Sequence, residues 1–193
     1  SRMEGQLATW PHGKEIIAFL RDAYKEGRSL QDATFRFVHA LFNEFGLLIL
    51  LPDNAALKQT MLPVFRKELL EQPASSILEQ SAEALTAAGY TVQASAREIN
   101  LFYLYEDIRN RIEFKNDSYQ VVDTAIRFTR DEMLAELEAY PERFSPNVIL
   151  RGLYEETILP NIAFIGGGGE TAYWLQLKGL FDFYNVPFPV LVL

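Results

Sequence analysis

The chain contains no cysteine. That excludes disulfides, thiolate metal sites and a thiol nucleophile together, and it suits a reducing compartment. Histidine is nearly absent as well: His12 and His39 lie far apart, outside any H-E-x-x-H pattern, so zinc chemistry has no ligand set and no metal site is expected. Positive charge is scarce. Eighteen Lys and Arg stand against 26 Asp and Glu, the net charge is −8, and no basic run is longer than the pair Arg66-Lys67. Nucleic acid and anionic membrane surfaces attract clustered basic residues, so neither is expected as a partner. The longest apolar run, Gly46 to Pro52, is too short to cross a bilayer, and Ser1 to Glu4 begin no signal-like stretch. A cytoplasmic location is expected.

What is present suffices for a sizeable core: 193 residues, 49% of them hydrophobic and 23% charged, the proportions of one ordinary domain or of a domain with a small insert. Residues 186 to 193 read as a buried strand that stops at the last residue without a turn, so a piece of a longer chain is expected.

The pattern along the chain is α/β. Gly13 to Tyr24 and Leu30 to Phe45 read as helices, the second with Ala33, Phe37, Leu41 and Phe45 on one stripe and Gly46 closing it. Leu47 to Leu51 is a continuous apolar run of the kind buried in parallel sheets, and Pro52-Asp53-Asn54 turns it into a helix from Ala55. Two helical patterns, 55 to 72 and 74 to 88, break at Pro73, and Gly89 ends the second. The period then changes to two. Residues 100 to 105, 108 to 114 and 119 to 122 form an antiparallel meander in which Ile108, Ile112 and Phe114 alternate with Arg109, Arg111 and Glu113. Thr129 with Glu132 makes a capping box for a helix over 130 to 139, and Ser145-Pro146 starts another over 146 to 158. A strand over 162 to 165, a glycine loop, a helix over 170 to 184 and a strand over 187 to 193 follow. The fold expected is a Rossmann-like parallel sheet flanked by helices, with the antiparallel piece as an insert: residues 1–89 and 146–193 make the core and 90–145 the connecting insert.

The loop is the chemically suggestive feature. Gly166, Gly167, Gly168 and Gly169 follow a short apolar strand and open a helix. Glycine permits positive φ and close approach of a ligand, and the free N–H groups of the helix start form an anion cradle. Ligands of open parallel sheets settle at the carboxyl ends of strands, so Asp53 and Asn54 are expected on the same rim as the glycines. Glu170 reads as a dipole-stabilised carboxylate or as a ligand, Trp174 as packing or as a stacking platform, and Arg151, near Asn147 on its helix, as an anion clamp or as the ion-pair partner of Glu155. Tyr173, Leu177, Leu180 and Tyr184 form the core stripe. The loop is neither the G-x-G-x-x-G fingerprint nor a P-loop, and no G-x-S-x-G elbow occurs.

The stretch from Phe144 to Lys178, with Asn147, Arg151 and the glycines at fixed spacing, resembles the cysteine-adding enzymes of bacillithiol biosynthesis, the cysteine ligase family. Glu98 to Tyr103, Phe128 to Met133 and Gly46 to Asp53 support the likeness. The family usually has proline at the position of Gly168 and again after Arg151, where this chain has Gly152. The resemblance implies a Rossmann-like core, attachment of cysteine to the amino group of glucosaminyl malate, and a homodimer formed through a coiled coil outside this stretch. The family's upstream Gly-Gln-Gln and Glu-Asp-His-Asp motifs do not occur here, so the chain is expected to hold one wall of the site and to be inactive alone. Amide formation needs an activated carboxyl, most simply through ATP, which makes ATP or ADP a candidate ligand. No general base is assigned. The alternatives are a non-catalytic ligand-binding or scaffold α/β domain, in which the same residues cap and pack, and a complete small-molecule transferase.

Overall fold

In the computed structural model, which describes residues 2–193, the chain forms two compact units that divide after Pro52.

The first unit is helical. Helix α1 (Arg2–Leu7) precedes α2 (Gly13–Ala23) and α3 (Leu30–Phe42). Ser29 caps α3 by accepting the Asp32 N–H at 3.1 Å, and Gly46 closes the following 3-10 turn in the left-handed region at φ 75°. The expected strand at 47–51 does not form. Those residues are extended but belong to no sheet, and Leu48 is 70% exposed. Apolar continuity marks a segment for burial; the ladder partner that makes it a strand must come from elsewhere.

The second unit begins at Asp53. Asn54 caps α4 (Ala55–Gln59), accepting from the Ala56 and Leu57 N–H groups. The helical pattern 55–72 breaks once more than expected, and α5 (Leu62–Glu71) starts after Met61. Pro73 opens α6 (Pro73–Ala87) at its first turn, where its missing N–H costs nothing. The meander follows as β1 (Leu101–Tyr105), β2 (Ile108–Lys115) and β3 (Ser118–Val121), within a residue or two of the pattern. A short β4 (Arg127–Phe128) leads into α7 (Arg130–Ala139), capped by the reciprocal Thr129–Glu132 box. Strand β5 (Phe144–Pro146) then joins the meander on the far side of β1, giving an antiparallel sheet in the order β4-β3-β2-β1-β5. Ser145 therefore sits in a strand, and the cap of α8 (Val148–Ile158) is Asn147, whose side chain accepts the Ile149 N–H at 2.8 Å.

The end of the unit is a β-α-β piece: β6 (Ala163–Ile165), α9 (Gly168–Tyr184) and β7 (Val190–Val192), with the two strands parallel. The parallel pairing is as expected, but it spans two strands, and the antiparallel sheet is the larger. One hydrophobic core joins α5, α6, α7, α8 and α9 to the inner face of that sheet, where Leu101, Tyr103, Ile112 and Phe144 are buried. The buried stripe of α9 is Trp174, Leu177, Leu180 and Phe181. Tyr173 and Tyr184, expected in it, are only partly covered.

Candidate functional site

The glycine loop lies at the carboxyl ends of β6 and β7, where the Gly166 N–H donates to the Val192 carbonyl at 3.0 Å. None of its four glycines has a positive φ, so conformational freedom is not what requires them. Gly166 has a steric reason: a Cβ there would stand 2.6 Å from the Phe164 ring and 3.2 Å from the Glu170 Cβ. Around Gly167 and Gly169 a Cβ meets nothing within 4 Å, and at Gly168 only a Leu193 methyl at 4.0 Å. The Glu170 carboxylate accepts the Gly167 N–H at 3.3 Å, half of a capping box whose other half glycine cannot supply. Two of the four amides are thus occupied by protein groups. Those of Gly168 and Gly169 open α9 with no acceptor among the described residues.

Trp174 is not on this rim. It is 1% exposed and stacks on Phe164 with ring centroids 4.2 Å apart, with Phe181 and Phe188 tilted against it. It packs the core and offers no face to a ligand. Asn54 is likewise spent on its cap. Asp53 does not reach the glycine rim through a strand end, since its preceding segment is not a strand. Its carboxylate instead stands 3.4 Å from the Lys58 ammonium.

Lys58 is fully buried, and its Nζ donates to the Phe144 carbonyl of β5 as well as to Asp53. Burial pushes its pKa down, while Asp53 holds it up. Asp53 also faces Arg109 and Tyr154: burial first, and then the Asp53 charge, push the Tyr154 hydroxyl up to about 12. A second grouping therefore forms away from the glycines, around β1, β2 and the start of α8.

Through Arg109 that grouping meets a cleft of about 410 Å³ on the outer face of the antiparallel sheet. In the β1–β2 register Phe102 pairs with Arg111 and Leu104 with Arg109, and across β1 Phe102 pairs with Ser145, so these side chains share one face. The Arg109 guanidinium lies 4.0 Å over the Phe102 ring and donates to the Ser145 hydroxyl at 3.4 Å. Arg97 enters from the loop before β1, and Asn147 and Arg151 from the first turns of α8.

A buried polar hub holds these pieces in place. The Asn100 side chain accepts the Arg97 N–H and an Asn147 Nδ2 proton, both at 2.9 Å, and donates to the Glu68 carboxylate at 2.7 Å and the Arg97 carbonyl at 2.8 Å. Its backbone carbonyl accepts the Asn147 N–H at 3.0 Å. The buried Gln176 of α9 fixes the approach to Arg97, accepting the Gln93 and Ala94 N–H groups and donating to the Ala94 carbonyl. Every donor and acceptor of Asn100 is thereby used, which is what a buried amide requires.

Arg151 forms no ion pair with Glu155. Burial, reinforced by the Glu156 charge, pushes the Glu155 carboxyl up; Arg151 partly offsets this, and Glu170 adds repulsion. Glu155 thus senses the charges of both Arg151 and Glu170. Of the residues expected, Asn147 and Arg151 come together in the cleft, Asp53 acts on Arg109 by its charge, Gly166 to Glu170 stand apart at the ends of β6 and β7, and Asn54 and Trp174 are spent on a cap and on core packing. Arg97, Arg109, Arg111, Ser145 and Lys58 are additions. Only the Arg109/Arg111 alternation on the wet face of β2 carries a signal for them.

A β-α-β unit with a glycine turn at the carboxyl ends of its parallel strands is the arrangement that Rossmann-like folds use. Over residues 1–193 the chain matches the family described as "Bacillithiol biosynthesis BshC, N-terminal Rossmann-like domain". The chain belongs to that family. It is 46% identical over 178 residues to a protein of Cytophaga hutchinsonii and 47% identical over 189 residues to one of Flavobacterium psychrophilum, both carrying the name "Putative cysteine ligase BshC". These alignments take in 92% and 98% of this chain but 34% and 35% of the relatives, so the chain spans about a third of their length.

Proposed function

We propose that the chain supplies one wall of the site of a longer cysteine ligase, which joins cysteine through an amide bond to the amino group of glucosaminyl malate in bacillithiol biosynthesis. The family match over the whole chain carries the reaction class. On this reading the open amides of Gly168 and Gly169 and the guanidinium of Arg151 hold the anionic groups of the reactants, Asn147 caps the helix that carries Arg151, and Glu170 or Asp53 receives the amine or the sugar hydroxyls. Preorganised donors of this kind stabilise charge that develops during acyl transfer without reorganising at the moment of reaction. ATP is the simplest activator of the carboxyl. The remaining wall, and a coiled coil for a homodimer, belong to parts of the ligase outside this chain, so the chain alone is inactive. It works in the cytoplasm on small molecules, without nucleic acid or membrane.

The rival reading, a scaffold in which these residues only cap and pack, accounts for Asn54 and Trp174. It does not account for a cleft lined by four arginines and no carboxylate in a chain with a net charge of −8. The test is turnover by the full-length enzyme with cysteine, glucosaminyl malate and ATP, followed by mass spectrometry. Arg151→Ala is expected to lower kcat/KM by roughly 10²-fold, the usual cost of losing one positioned donor. Wild-type turnover in that variant, or no thiol product from the parent enzyme, refutes the assignment.

A further inference from the structure

The outer-face cleft has a charge pattern at odds with the rest of the molecule. Ten residues line it; four are arginines, Arg97, Arg109, Arg111 and Arg151, and none is acidic. Elsewhere carboxylates outnumber basic residues, and exposed cations find partners readily, as Arg66 does with Glu138 and Lys178 with Asp182. In the cleft they do not. Among the described residues Arg97, Arg109 and Arg151 form no ion pair, and Arg111 reaches Glu113 only at 3.8 Å, while Lys115 holds the same carboxylate at 2.6 Å. Asp53 and Glu155 stand at the edge and sense Arg109 and Arg151 without pairing with them.

Gathering guanidiniums is unfavourable even with carboxylates at the edge: burial and then the neighbouring Arg151 charge hold the Arg109 pKa below its ordinary value, and Asp53 offsets part of this. The arrangement is nonetheless built. Three of the four arginines come from separate segments: the loop before β1, the strand β2, and α8. The Asn100 hub ties the Arg97 turn to the Asn147 cap of α8, and Ser145 and Phe102 orient Arg109. A surface evolved only to stay soluble has no need of such bracing.

The geometry points to a binding site for a small polyphosphate, the pyrophosphate or triphosphate group of a ligand, held by Arg97, Arg109, Arg111 and Arg151 with Asn147 as a neutral donor. A single carboxylate offers one charge and satisfies one guanidinium fork. Two linked phosphates, at roughly −1.5 to −2 for a terminal phosphate, match four guanidiniums of which one is partly engaged, and their several oxygens can accept from more than one fork at once. The inference names a ligand class for the Asn147–Arg151 side of the proposed site and so rests in part on that reading, but its test does not depend on turnover.

Binding of inorganic pyrophosphate to the protein is measured by calorimetry at low and high salt, with ATP, orthophosphate, malate and citrate as competitors. Pyrophosphate is expected to bind well above orthophosphate, with affinity falling as salt screens the contacts. Arg97→Met and Arg109→Met should each weaken it roughly 10-fold or more, the scale for loss of a hydrogen bond to a charged group. Arg97 is exposed and lies outside the strands, so its variant is expected to keep the parent melting temperature even if that of Arg109 does not. ATP binding at least 10-fold tighter than pyrophosphate identifies a nucleotide as the source, and equal affinities identify free polyphosphate. No pyrophosphate binding, affinity unchanged in Arg97→Met, or displacement by malate or citrate as effective as by ATP overturns the proposal. If the full-length enzyme turns over normally while pyrophosphate ignores the cleft, this inference fails and the ligase reading stands. If pyrophosphate binds the cleft and the full-length enzyme forms no thiol product, the polyphosphate site stands and the ligase reading fails.

Discussion

Replacing the loop glycines one at a time separates those that the fold requires from those that it does not. At Gly166 an added Cβ stands 2.6 Å from Phe164, where ordinary contact begins at 3.4 Å. Phe164 must therefore move by about 0.8 Å, and its ring is already stacked on Trp174, which is 1% exposed. Overpacking of this sort costs about 1–3 kcal/mol. At about 2–4 °C per kcal/mol for a chain of this size, Gly166→Ala should melt roughly 2–12 °C below the parent. Gly168 is the opposite case. It is the first residue of α9, and Gly167 before it has φ −67° and ψ 165°. Those are the angles that a residue before proline adopts, and the first helical position is where proline is best tolerated. Gly168→Pro should thus stabilise by about 0.5–1 kcal/mol, mainly by restricting the unfolded chain. It also removes one open amide, so anion affinity at the rim should fall as the melting temperature rises. Gly169→Ala, in open space within the first turn of the helix, should stabilise similarly and keep its N–H. Paired thermal melts and ligand titrations read both effects. A parent-like melt for Gly166→Ala, or a lower one for Gly168→Pro, refutes the steric account of the loop.

Other outcomes follow from the buried polar groups. Burial holds the Glu68 carboxyl above its ordinary pKa, with the Asn100 hydrogen bonds offsetting part of the shift, so the folded state favours the protonated form. Its stabilising contribution is complete below about pH 4.5 and is lost as pH rises through the raised value. Glu68→Gln keeps an acceptor for Asn100 and should flatten that slope in urea titrations above pH 4.5; an unchanged slope excludes Glu68 as its source. Asn100→Ala removes one of the donors to Glu68 and the side-chain ties to Arg97 and Asn147, leaving only the backbone bonds to Glu68 and Asn147, so it should cost about 1–3 kcal/mol and also weaken anion binding in the cleft. Loss of stability with unaltered binding would show that the hub does not organise the arginines. Trp174→Phe should cost about 1–2 kcal/mol and leave ligand affinity untouched; a selective loss of affinity would restore the indole to the site.

The elements legible in the sequence are those whose cause is local. The Thr129–Glu132 box delimits α7 as expected because both partners lie within one turn. The meander alternates because each of its strands has one buried and one wet face, and its turns at 106–107 and 116–117 fall where positive-φ residues such as Glu106, Asn116 and Asp117 sit. The glycine turn into α9 is legible for the same reason. The departures all concern partners at long range. Leu47–Leu51 has the composition of a strand and no ladder. Ser145 reads as a cap because it precedes Pro146, but β1 recruits it into β5 and Asn147 takes the cap. Trp174 takes the packing role of its two readings, and Tyr173 is only partly covered, because the packing of Phe164, Phe181 and Phe188 sets the rotation of α9.

Taken alone, the order of residues is enough to establish the α/β class, the glycine turn, the kinship with bacillithiol cysteine ligases and the lack of any cysteine thiol, since each depends on residue type and short spacing. The arginine cleft belongs to the tertiary structure. Positions 97, 109, 111 and 151 form no basic run, and the overall charge points away from anions; the β1–β2 register and the Asn100 bridge to α8 bring the guanidiniums to one surface. Electrostatic attraction depends on distance through space, and that distance exists only once the chain has folded.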